Sequence, residues 1–161
     1  GQRPVVLEVL RDGENKVFEI TPKKVDGKWR LGIFVASVPE IPMDIDIDAG
    51  NISGPSGGQI FALAIYDLLT PGSLTGGKHI AGTGTIEVDG SIGPIGGVKQ
   101  KLIGAKNAGA KYFLIPESNC SEAKGNMPEG MQVISVSNLK QSLKAVEAIR
   151  FGSTSNLPGC N

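Results

Sequence analysis

Two short motifs hold the residues best able to do chemistry. The first, Ser53-Gly-Pro-Ser-Gly-Gly58, sets Ser56 among glycines just before an apolar run, QIFALAIYDLL. The second, Gly93-Pro-Ile-Gly-Gly97-Val-Lys99-Gln-Lys101, brings two lysines to the start of a second helical pattern. A serine flanked by glycines suits a nucleophile, because the missing side chains let a substrate carbonyl approach the backbone. A plain helix-starting turn fits the first motif equally well, but it gives no reason for the second. Lysine can activate serine only as the free amine. A lysine base therefore needs its usual pKa of about 10.4 brought to about 7–8, a bias of roughly 4 kcal/mol against the charged form. Desolvation provides that bias and a nearby opposite charge works against it. On a helix Lys99 has Leu102 and Ile103 one turn ahead, with Ile95 and Val98 just before it. Lys101 faces Gly104 and Ala105, which wrap an amine poorly. On local grounds Lys99 is the better candidate, although most helical lysines are simply solvated.

Two other motifs compete. Gly72-Ser-Leu-Thr-Gly-Gly77-Lys78 matches the phosphate-loop pattern, but His79 stands where magnesium needs a serine or threonine, and no strand precedes it. It reads as a loop. Gly54-x-Ser56-x-Gly58 also matches a nucleophile elbow, with Asp67 and His79 following as acid and histidine. The chain lacks the long βα alternation of that fold, and a lone histidine is more often a structural or surface residue.

The elements that must position these residues can be traced along the chain. Its 161 residues suit one compact domain, with room for a small appendage. Sixteen basic and sixteen acidic residues cancel, which leaves no electrostatic footprint for nucleic acid or a membrane surface. No apolar run approaches the roughly 18 residues of a membrane span. The chain opens with Gly-Gln, has no signal-peptide pattern and reads as a piece of something longer. PVVLEVL and KVFEI form an expected hairpin about Asp12-Gly13, and Trp29–Ala36 a further strand. Residues 44–48, DIDID, alternate as a strand with one acidic face, which a metal could use only with further ligands. Helices are expected over 56–69, apolar on all sides and therefore buried, over 98–108, and over 138–150 behind an Asn138/Gln141 capping box. Strands are expected at 79–88, 112–115 and 133–136. Mixed elements without strict alternation make the class α+β. Cys120 and Cys160 permit one disulfide without requiring it, and a bridge would close a loop worth about 4 kcal/mol. The polar tail after residue 151 is expected to be loose unless Cys160 pins it.

GPSGG followed by GTGTIEVDGSIGPIGGVKQKLIGAKNAGAKYFLIP resembles the proteolytic domain of Lon-type serine peptidases. That family carries G-P-S-A-G, a T-G-E segment and P-I-G-G-[LIV]-K-[EQ]-K, and the likeness covers about residues 39–150. It implies Ser56 as nucleophile and Lys99, 43 residues on, as general base. Thr83 would orient the lysine amine, and Gly57 would give backbone space and an N–H near the oxyanion. It further implies an acyl-enzyme, peptide or unfolded-protein substrates, no metal or cofactor, and a homo-hexamer. Two positions depart from the family pattern: Thr85 replaces its glutamate and Gly57 its alanine. LTPGSLTGGKHIAGTGTIEVDG and FLIPESNC are similar to the membrane-anchored, PDZ-containing Lon-like proteases of bacteria, which have no ATPase module. That likeness implies a PDZ-like remnant at 1–36, the proteolytic domain at 37–151 and a tail at 152–161. It also implies a location outside the cytoplasm, membrane attachment through segments missing from this chain, and a Cys120–Cys160 disulfide. The competing class is a fold of this type kept as a scaffold or binding module, with its chemistry lost.

Overall fold

The computed structural model describes residues 3–35, 46 and 54–160. The chain divides into two compact units, residues 1–45 and 46–161. In the first, β1 (Val5–Arg11) and β2 (Glu14–Ile20) pair antiparallel, Val5 opposite Ile20 and Arg11 opposite Glu14. Their two-residue turn places Asp12 at φ 56° and Gly13 at φ 77°, both left-handed, the geometry that matches strand twist. Asp26-Gly27 repeats the device, so β3 (Lys23–Val25) and β4 (Lys28–Arg30) form a second hairpin. The strand expected over 29–36 is therefore short: it begins at the turn and ends at Arg30. Ala36 lies outside the described residues, as does the acidic run 44–48 apart from Asp46.

The second unit is built on a three-stranded parallel sheet of β5 (Ile80–Gly82), β8 (Tyr112–Pro116) and β9 (Gln132–Val136), with β8 central. Ile80 pairs with Tyr112, and Tyr112 with Gln132. A central parallel strand has both faces covered, which explains the unbroken apolar run YFLIP. Its side chains alternate between two cores. Phe113 and Ile115 join Val98 and Leu102 of α2 (Val98–Asn107), with Ala123 of the short α3 (Cys120–Ala123). Leu114 joins Leu63 of α1 (Gly58–Leu69) and Val146 and Ile149 of α4 (Leu139–Arg150). The class is α+β, with three long α-helices and one short one among the described residues.

The run expected as one strand over 79–88 divides into β5 and β6 (Thr85–Ile86), and β6 pairs antiparallel with β7 (Ile92–Gly93). The break at Thr83-Gly84 turns those two residues toward Ser56. Helix α1 is not buried all round: Leu63 is covered, but Leu68 is 86% exposed, because the helix lays only one side on the sheet. The Asn138 side chain accepts the Gln141 N–H at 3.0 Å, as a cap should. The return arm of the box lands one residue early, where the Gln141 carbonyl takes the Ser137 N–H and hydroxyl. Cys120 and Cys160 are bonded. The tail is tied down further where the Ser135 N–H donates to the Pro158 carbonyl at 2.8 Å.

Candidate active site

Ser56 sits in a 3-10 turn, Pro55–Gly57, that runs directly into α1. Gly54 leads in at φ 81°, a conformation that favours glycine. Gly58 is required by contact, since a Cβ there would lie 2.9 Å from the Ile86 side chain and 3.1 Å from its backbone nitrogen. Gly57 has an ordinary φ of −87° and lines the cavity beside Ser56. The turn is clasped by backbone. The Ser56 carbonyl accepts the Gly84 N–H at 2.8 Å, and the Gln59 N–H returns to the Gly84 carbonyl at 3.0 Å.

Thr83, 2% exposed, donates its hydroxyl to the same Ser56 carbonyl at 3.0 Å. Its bond thus holds the backbone of the serine, where the sequence suggested that it would orient a lysine amine. The side chain that meets Ser56 is Lys101, whose Nζ lies 3.3 Å from Ser56 Oγ. Lys99, the expected partner, is exposed and does not line this cavity. Positions two apart on a helix point about 200° from each other, so one turn cannot present both lysines to one serine. Leu102, one turn after Lys99, is fully buried in the core, and Ile103 is 46% exposed.

Lys101 opens onto a cavity of about 570 Å3. The wall on its own helix is made of Gly104, Ala105 and Ala108, and the apolar bulk comes from Ile60 and Phe61 of α1 and Phe113 of β8. The small residues beside Lys101 leave room for this cavity, and its apolar lining comes from other elements. Sequence reasoning missed this because the lining is assembled from separate parts of the chain. It also missed Gln59, fully buried, whose amide donates to Ser142 Oγ at 2.9 Å and ties the serine turn to α4. A polar residue in the apolar run was the available signal. Asp67 and His79 stay apart from this chemistry: Asp67 accepts the Leu74 N–H at 2.6 Å, and His79 is exposed and outside the cavity. Gly76 and Gly77, both at positive φ, belong to the loop before β5.

An α+β domain with a lysine set against a serine at the head of a helix defines a recognisable class. Residues 35–148 match the model of the Lon protease (S16) C-terminal proteolytic domain, and the chain belongs to that family. It is 36% identical over 119 residues to a Lon protease of Rickettsia felis, covering 71% of this chain and 15% of that protein. A Lon protease of Lachnoclostridium phytofermentans is 43% identical over 108 residues, covering 65% and 13%. The chain thus spans under one fifth of the length of these curated relatives.

Proposed function

We propose that this domain is a serine endopeptidase in which Ser56 attacks and Lys101 acts as general base. The observation that carries the reading is the 3.3 Å approach of Lys101 Nζ to Ser56 Oγ at the edge of an apolar cavity. The free amine takes the serine proton as Oγ adds to a peptide carbonyl. The resulting ammonium protonates the leaving amine. Water then cleaves the acyl-enzyme with the same lysine as base. The positive end of α1 and the Gly57 N–H just ahead of it favour the developing oxyanion. No metal or cofactor enters these steps.

Among the described residues β5 is an edge strand, which suits an extended peptide, since its Ala81 and Gly82 line the cavity. The resemblance to Lon-like proteases that have no ATPase module supports flexible peptides and unfolded proteins as substrates and cleavage independent of ATP. The resemblance of FLIPESNC and the residues around GGKHIAGTG supports membership of the PDZ-containing, membrane-anchored branch. On that reading the β1–β2 hairpin closes a PDZ-like domain, the active form is a homo-hexamer, and the site works outside the cytoplasm, where the disulfide persists.

The test is labelling by a serine-reactive probe. The wild type should be labelled, and labelling should vanish in Ser56→Ala. It should fall to background in Lys101→Ala, and ATP should change nothing. Persistent labelling of Ser56→Ala rejects the nucleophile.

A further inference from the structure

We propose that Asn119 and Glu122 are positioning residues for Lys101, acting as a bracket that the Cys120–Cys160 disulfide fastens to the sheet. The proposal rests on the peptidase reading above. Asn119 is 6% exposed, and its side chain satisfies both backbone groups of Ile95. Its Oδ1 accepts the Ile95 N–H at 2.9 Å and its Nδ2 donates to the Ile95 carbonyl at 2.8 Å. Glu122 Oε1 accepts the N–H of Val98, the first residue of α2, at 3.2 Å.

These two attachments bracket Gly96 and Gly97, which have no side chains to hold the loop. A Cβ at Gly96 would meet nothing within 4 Å, and Gly97 is left-handed at φ 74°. Helix α2 has no side-chain cap of its own. Lys101 stands one turn beyond Val98, so the rotation of α2 about its axis decides whether Nζ points at Ser56. The bracket fixes that rotation at the end nearest the lysine.

The bracket in turn needs an anchor, because a four-residue helix is too short to be stable by itself. Cys120 opens α3 and is bonded to Cys160, which is buried in the same cluster as Val98 and Leu102. Just before Cys160, Gly159 bridges to Ile134 and the Pro158 carbonyl takes the Ser135 N–H. The path therefore runs from β9 through the disulfide to α3, and from α3 to the start of α2. A misplacement of about 1 Å at a reacting group can cost on the order of 10²-fold in rate, so a loosened bracket should show in turnover before it shows in binding.

The experiment is steady-state cleavage of fluorophore-labelled β-casein, with folding checked by circular dichroism. The wild type must cleave and Ser56→Ala must not; any other result overturns the peptidase reading and this inference with it. Asn119→Leu should lower kcat on the order of 10–10²-fold with KM within about twofold. Glu122→Ala should lower kcat by a smaller factor, and Glu122→Gln, which keeps the acceptor, should restore it. Dithiothreitol, oxidised to its cyclic disulfide as the cystine becomes two thiols, should lower kcat in the wild type and leave a Cys120→Ala/Cys160→Ala double variant unchanged. Wild-type kcat in folded Asn119→Leu and Glu122→Ala overturns the proposal. If Asn119→Leu does not fold, the glutamate pair decides: equal loss in Glu122→Gln and Glu122→Ala overturns it.

Discussion

On one side of the cavity the serine is held by main chain. Gly84 donates its N–H to the Ser56 carbonyl and accepts the Gln59 N–H, and Gly58 lets α1 close on Ile86. On the other side the lysine approaches on a helix whose leading loop is held by side chains, Asn119 and Glu122, from a segment 24 residues further along. A backbone clasp demands glycines and tolerates little else at those positions. A side-chain bracket leaves the loop it holds free of demands and moves them to a distant stretch. The nucleophile is thus built locally and its partner remotely, and substitutions on the two sides should fail in different ways.

The sharpest contrast is between the two lysines. Lys101→Met should lower kcat/KM by about 10²–10⁴-fold, and Lys99→Met should leave it near wild type, both measured by peptide hydrolysis. The reverse ranking would break the assignment of sides. Next is the close approach at Gly58. Gly58→Val forces a branched side chain against the Ile86 backbone and should destabilise by about 1–3 kcal/mol, seen as a lower Tm with reduced turnover. Thr83→Val should be milder, about 1 kcal/mol, because the Ser56 carbonyl keeps its Gly84 N–H. The smallest effect lies in the β6–β7 loop. The Ser91 hydroxyl and N–H bond to Asp89 and hold its carboxyl below the ordinary carboxylate range. A lowered carboxylate pKa adds stability above its unfolded value and loses it as pH falls through the folded value. Ser91→Ala should move the Asp89 midpoint, followed by NMR, up toward the ordinary value, with little change in Tm at neutral pH.

The same asymmetry explains what could be read without coordinates. Gly54, Ser56 and Gly58 announce the serine turn because close backbone approach leaves its mark on the residues that make it. The helices around 98–108 and 138–150 and the strands at 112–115 and 133–136 follow from apolar period and caps, and they stand within a residue or two of their expected ends. The lysine was harder. Local wrapping favoured Lys99, yet the apolar lining beside Lys101 comes from other elements, Phe61 of α1 and Phe113 of β8. Nothing in ESNCSEA announces that Asn119 and Glu122 reach back to Ile95 and Val98. The short second hairpin carries a local signal, since Asp26-Gly27 repeats the turn at Asp12-Gly13.

Parallel pairing has one more consequence, for the order in which the molecule comes together. Strands β5 and β9 reach β8 only through long excursions of chain, because parallel neighbours cannot be joined by a tight turn. Loops of that kind close late and slowly compared with helices. After dilution from denaturant, helical signal should therefore return first, and hydrolysis only once the strand carrying Gly82 has docked beside Leu114.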